Sequence, residues 1–401
     1  MPSYLTSLAL AYLMLMVITG SSRGIYQAMN SIPSLLESLL RQSLILNSLT
    51  VSFPYILSAA ATTTSVLDMQ DILERFTFDN ICKIAFDFDP EYLLPSLPLT
   101  EFAVAFEYAT KMSTNRFISL FPIIWKVKRL LDIGSEKYLR IATTEVRKFA
   151  QNIVRKKKQE LHEKSSVQKD DLLSRILNSS SLNETLATDM AISFILAGRG
   201  TTSAALTWFF RLVSNNSHVE EELIREIRKK SESPVYEEVK DMVYIHASLC
   251  ESMRLYPIVA ADTKVAASDD VLPDGTLVKK GNRVTYHPDA MGRLEKLWGV
   301  DWQEFRPERW LEKDSITGEW NFIPKDAYTY PVFQAEPRIC LGKEMAFLQM
   351  KRIVAGVLRD FRVVPTLEKG REPVYISFFT SKMKGGFPVR IQKRGIDVDL
   401  E

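Results

Sequence analysis

The sequence predicts a mainly α-helical protein with a minor β portion towards the C-terminus. Apolar residues recur at helical spacing over several long stretches. One central stretch is apolar nearly all round, as a helix buried at the middle of a large domain must be. Strand-like alternation is confined to residues 271–286 and to short pieces at the end. The strand–helix alternation of a doubly wound parallel sheet is missing.

Composition narrows the class further. Of 401 residues, 46% are apolar, which is ample for a sizeable core in one large domain or in two or three smaller ones. The 51 basic and 49 acidic residues leave a net charge of +2, so nothing draws the chain generally to nucleic acid. Cys82, Cys250 and Cys340 are odd in number and far apart, with no disulfide framework. The four histidines form no HExxH pair, and neither GxGxxG nor GxxxxGK[ST] occurs.

Residues 4–18 are uncharged and mostly apolar. They read as a membrane anchor, a cleaved signal or a buried helix, being short for a full span of roughly 20 residues. Residues 67–86 show helical periodicity. Residues 100–133 are aromatic-rich and interrupted by Pro122. Residues 135–163 read as a long polar helix, with the run Arg155-Lys156-Lys157-Lys158 on a solvated face. Residues 165–183 are polar and Ser-rich, a surface connection. The apolar helix follows at 186–213, then an amphipathic helix at 220–230 and a third at 239–255, which stops before Pro257. Asp274-Gly275 and Lys280-Gly281 punctuate 271–286, which reads as one small hairpin. Residues 313–332 look irregular, and a final helix runs from 343 to 360.

The chemistry-bearing segment is Phe333-Gln334-Ala335-Glu336-Pro337-Arg338-Ile339-Cys340-Leu341-Gly342, directly before that last helix. A cysteine entering a helix N-terminus sits where the dipole favours a thiolate, and free backbone N–H groups there can donate to sulfur. Alone, such a cysteine is more often a small buried hydrophobe. Glu251 and Arg254, three apart on a mostly apolar helix, need partners if buried. Arg309 in Pro307-Glu308-Arg309-Trp310 supplies a second arginine for a Glu–Arg–Arg cluster; an exposed ion pair is the alternative.

Taken together these residues resemble the cytochrome P-450 superfamily. FxxGxRxCxG is matched at Phe333, Arg338, Cys340 and Gly342, ExxR at Glu251 and Arg254, and the PERF-type pattern at 307–310. Ala197-Gly198-Arg199-Gly200-Thr201-Thr202 resembles the family's oxygen-binding turn. The stretches LAGRGTTSAALTWFF, ESMRLYP, VLPDGTLVKKGNRVTY and CLGKEMAFLQMK are similar to plant fatty-acid hydroxylases that act at or near the terminal carbon.

The resemblance implies a haem-thiolate monooxygenase of fatty acids or their derivatives. Cys340 would be the axial ligand of haem iron, with Arg338 on a haem propionate, Phe333 packed near the cysteine loop and Gly342 beside the cofactor. Glu251, Arg254 and Arg309 would lock the core, Thr201 would help deliver protons to oxygen, and Val259 and Ala260 would face substrate. The implied partners are O2 and a membrane-bound, NADPH-dependent reductase. The implied location is the endoplasmic reticulum membrane, with the catalytic domain facing the cytosol. Residues 1–20 would be a possible anchor, 21–55 a divergent segment and 56–401 the haem-thiolate domain.

Three departures from the family matter. Gly200 stands where Asp or Glu usually precedes the threonine, which predicts slow or uncoupled oxygen activation. Glu336 replaces the loop glycine; a left-handed conformation there would cost about 1–2 kcal/mol, and its carboxylate is unfavourable near a thiolate. The family's N-terminal β region and two early helices have no counterpart in residues 1–55. Trp125 and Arg129 fit the Trp-xxx-Arg spacing of one of those helices but lie in a later region, and read as a helix with a buried Trp and exposed basic residues. The competing expectations are an impaired, haem-deficient relative of the same family and, outside it, a membrane-anchored helical binding protein without a cofactor.

Overall fold

The computed structural model describes residues 52–97, 100–117, 119–163, 171–178, 184–335, 339–366, 373–377 and 379–395. The expected anchor at 1–20 and the divergent segment as far as residue 51 lie outside the described residues, as do Glu336 and Arg338.

Helix α1 (Ser52–Thr63) leads through the short strand β1 (Val66–Asp68) into α2 (Met69–Phe86). Asp68 joins strand to helix, since its carboxylate accepts the N–H groups of Gln70 at 3.0 Å and of Phe387 at 2.8 Å. Helices α3 (Glu101–Phe117), α4 (Pro122–Leu130) and α5 (Gly134–Glu163) follow, with Pro122 in the first turn of α4 rather than inside a helix.

The connection expected at 165–183 contains a further helix, α6 (Leu172–Asn178), with Leu172, Leu173 and Ile176 buried. Its start is fixed by Asp171, which accepts from the Ser174 backbone at 2.9 Å and from Lys157 Nζ at 3.1 Å. Lys157 is therefore buried, unlike the rest of a basic run expected on a solvated face. A lysine with a carboxylate partner 14 residues away cannot be told from its exposed neighbours by sequence.

The central helix α7 (Glu184–Val213) is buried continuously from Thr202 to Phe210. It packs along α2, and both helices pass through two apolar clusters. Ala187 to Leu196 belong to one cluster, Ala204 to Val213 to the other. The two helices approach so closely that a Cβ on Gly198 would lie 2.6 Å from Ile81 Cγ1.

After α8 (Ser217–Arg228), the helix expected at 239–255 is two: α9 (Tyr236–Lys240) and α10 (Val243–Leu255). Glu226 on α8 accepts the N–H groups of Tyr244 and Ile245 at 2.8 and 2.9 Å, capping α10 from another helix.

The β portion is small. Strands β2 (Asp262–Val265) and β5 (Arg283–Tyr286) pair antiparallel, enclosing β3 (Asp270–Val271) and β4 (Leu277–Val278). The single hairpin expected at 271–286 is thus two nested ones, because Gly275 and Gly281 both turn the chain at positive φ. Strands β6 (Leu311–Lys313) and β7 (Trp320–Phe322) form a hairpin in a region expected to be irregular. Helix α11 (Lys343–Asp360) leads into β8 (Phe361–Pro365), β9 (Tyr375–Ser377), β10 (Ser381–Met383) and β11 (Pro388–Lys393). Strand β11 lies between β1 and β8, with Val66 opposite Arg390 and Lys393 opposite Phe361.

Candidate functional site

Cys82 and Cys250 are buried; Cys340 is exposed. It stands between the 3-10 turn Pro331–Phe333 and α11. Its N–H donates to the Phe333 carbonyl at 2.8 Å, and its own carbonyl accepts from Lys343 at 3.3 Å. No side chain caps α11 at Gly342. Burial pushes the Cys340 pKa up, and the Gly342 N–H and the Lys343 charge pull against that.

Gly342 has a negative φ, so its backbone would suit any residue, yet a Cβ there would meet nothing within 4 Å. An open space beside a thiol at a helix start suits a large flat prosthetic group carried on sulfur. Phe333 packs on Phe347 with ring centroids 5.2 Å apart, and Phe347 stacks on His246 at 4.1 Å.

The loop before the cysteine is pinned from the side by residues that the sequence reading did not select. Gln334 has φ 63°, a left-handed conformation. Its side chain donates to Asp262 at 2.6 Å and accepts from Tyr286 and from Lys264, the latter at 3.3 Å. Burial would raise the Asp262 pKa, but Lys264 and Tyr286 outweigh it and hold the carboxyl below its usual range. Lys264 places a cation beside the cysteine loop. A Lys in a short strand carries no local signal of that role.

Behind the loop, Glu251, Arg254 and Arg309 come together. Glu251 and Arg254 side chains are fully buried, which rules out the exposed ion pair. Arg254 donates to Glu251 at 2.9 and 2.8 Å, and to the carbonyls of Gly292 and Glu304. Arg309 reaches Glu251 at 3.1 Å and Asp301 at 2.8 Å. Trp310 adds an indole N–H to Glu251 at 2.9 Å. Trp310 in turn packs on Tyr330, whose hydroxyl donates to the Cys250 carbonyl at 3.0 Å. The cluster therefore buttresses the residue that starts the cysteine loop.

Thr201 lies on α7, half-buried, and its hydroxyl donates back to the Ala197 carbonyl. Helix α7 packs against α11, which follows Cys340. Val259 and Ala260 are half-buried beside β10, next to Ile258, whose carbonyl accepts the Ser381 N–H at 2.9 Å. Trp125 is half-buried beneath the Arg116 guanidinium, 4.9 Å from its ring centre, while Lys126 and Lys128 face solvent. Among the described residues no group of three or more His, Cys, Asp or Glu is placed to hold a bare metal ion, and no helix is long and apolar enough to cross a membrane.

A family model described as Cytochrome P450 matches residues 48–386. Cytochrome P450 94A1 of Vicia sativa is 61% identical over 339 residues, covering 84% of this chain and 66% of that protein. Cytochrome P450 94A2 of the same plant is 62% identical over 342 residues, with the same coverage. Cytochrome P450 94B1 of Arabidopsis thaliana is 45% identical over 342 residues. The chain spans 66% of the length of each of these relatives.

Proposed function

This chain belongs to the cytochrome P450 family, and on that premise we propose that it is a haem-thiolate monooxygenase of fatty acids or their derivatives, acting at or near the terminal carbon. The observation that carries the reading is the exposed thiol of Cys340, set just before the start of α11 with open space beside Gly342. When bound, haem supplies the iron chemistry that activates O2. The protein holds and orients it. Cys340 would hold the haem iron through its sulfur, with Phe333 and Gly342 beside it, and Arg338 and Lys264 would offer cations to the haem carboxylates. Glu251, Arg254 and Arg309 keep the loop in place. Thr201 holds a proton on its hydroxyl at the central helix, and Val259 and Ala260 face the substrate.

We assign residues 56–401 to the haem-thiolate domain and residues 1–20 to an anchor in the endoplasmic reticulum membrane, with the domain facing the cytosol and a membrane-bound, NADPH-dependent reductase supplying electrons. The α4 region supports membrane association. Leu120, Phe121, Ile123, Ile124 and Leu130 are each more than half exposed, beside Lys126 and Lys128.

Gly200 favours a second reading, an impaired member of the family, since no acid precedes Thr201. A reduced, carbon monoxide difference spectrum separates the two. The full chain should give a thiolate-type Soret band that Cys340→Ser abolishes; no haem uptake would overturn the first reading. Turnover of a fatty acid with added reductase then tests activity itself.

A further inference from the structure

The connection between α8 and α9, residues 229–235, runs beside α11 and carries Ser231-Glu232-Ser233-Pro234. Two arginines of α11 hold it. Arg352 donates to the Pro234 carbonyl at 2.7 Å and to the Ser233 hydroxyl oxygen at 3.3 Å. Arg359 donates to the carbonyls of Ile227 and Lys230 at 3.0 and 3.3 Å. Seven apart, the two share one face of α11.

Arg352 is unusual among the buried arginines. Arg75, Arg199 and Arg254 are buried too, and each meets a carboxylate, at 2.7, 3.5 and 2.8 Å. Arg352 is only 8% exposed and meets none among the described residues. A charge taken out of water is normally paired. Burial and the neighbouring Arg359 push its pKa down, with Glu238 pulling against them. Glu238 is itself occupied. It accepts from Ser231 at 2.9 and 2.6 Å and from the Val235 N–H at 3.0 Å.

The hydroxyl that Arg352 reaches belongs to an exposed serine directly before a proline. A proline next in sequence biases that serine to extended backbone, the form in which a kinase takes its substrate. Pro234 is buried, so the kinase meets the loop in its open form. No backbone–backbone hydrogen bond of residues 231–234 resists that opening among the described residues.

We propose that Ser233 is a phosphorylation site whose phosphate docks on Arg352. The γ-phosphoryl group of ATP passes to Ser233 Oγ, the bond to ADP breaks, and the hydroxyl proton is released. The new group carries a charge of about −1.5 to −2 and three acceptor oxygens, which the guanidinium fork of Arg352 can take in pairs. Arg359 supplies the second cation. The modified loop then grips α11, the helix that follows Cys340, by charge as well as through its carbonyls.

The test treats the full chain with magnesium ATP and a proline-directed serine kinase, and maps phosphate by mass spectrometry. Ser233 should carry phosphate, and Ser233→Ala should lose that mark. The phosphorylated chain should melt about 2–4 °C above the unmodified one. In 31P NMR the second phosphate pKa should lie about one unit below its usual value near 6. Arg352→Gln should abolish both shifts. Absence of phosphate at Ser233 would overturn the proposal. So would shifts that Arg352→Gln leaves unchanged. If Arg352→Gln does not fold, the phosphorylated chain decides: a melting temperature no higher, or an ordinary phosphate pKa, sinks the idea. None of these readouts requires haem, so a failure here is distinct from a failure of the monooxygenase reading.

Discussion

Two guanidinium groups, an indole N–H and the Arg306 backbone N–H converge on the carboxylate of Glu251, which has no exposed surface. Removing one partner of such a cluster leaves buried charge uncompensated. Glu251→Ala is therefore expected to destabilise the protein by about 3–5 kcal/mol, read as a lower urea midpoint at unchanged slope. Cys340→Ser should behave oppositely. Its side chain is exposed, so in the haem-free chain the stability should change by less than about 0.5 kcal/mol, while the carbon monoxide band of the haem-loaded chain disappears. The Glu251–Arg254 pair was legible because residues three apart on a helix share a face, whereas spacing alone leaves Cys340 a small hydrophobe and only the resemblance carried by its neighbours singles it out. Lys264 and Gln334 were not legible, since their contact joins positions 70 apart. Gly198 was silent for a similar reason. Only the approach of Ile81 from another helix makes glycine necessary there.

At the scale of elements, hydrophobic period placed the long helices within a few residues, because each buries a stripe set by its own sequence. Boundaries fixed from elsewhere were lost. The break between α9 and α10 depends on a carboxylate on α8, and α6 depends on the Asp171–Lys157 pair with α5. The packing of α10 on α11 carries a pH dependence. His246 is enclosed by Phe322 and Phe347, at 4.4 and 4.1 Å. Burial, with Lys351 and Lys343 nearby, lowers its pKa to about 3. An unfolded histidine titrates near 6.5, so the folded form resists the proton that the unfolded form takes up. This contribution to stability is complete above about pH 6.5 and is lost as pH falls towards 3, by about 1.4 kcal/mol per unit. His246→Phe should flatten the fall in urea stability between pH 6 and pH 4 by about that slope. An unchanged slope would place the acid sensitivity in other groups.

Across the whole molecule, α2 and α7 run through both apolar clusters and bind them into one body, and the sheet of β1, β11 and β8 ties the start of the described chain to its end. That frame turns α4 outward. None of its residues is buried, and its apolar side chains lie among basic ones. Water is a poor solvent for such a surface, and an anionic bilayer interface satisfies both halves of it at once. The molecule should therefore rest on a membrane with α4 downward, independently of any anchor near the N-terminus. A polarity-sensitive fluorophore at Ile124→Cys, in a Cys340→Ser background, reports this directly. Its emission should shift to the blue on vesicles containing phosphatidylserine, more than on phosphatidylcholine alone. Lys126→Gln with Lys128→Gln removes two charges, each contributing about 1 kcal/mol near an anionic surface, and should weaken the response about 30-fold in lipid concentration. An anchor elsewhere in the chain could hold the protein to the vesicle without moving this probe out of water, so an unshifted spectrum on bound protein would show that α4 faces the solvent.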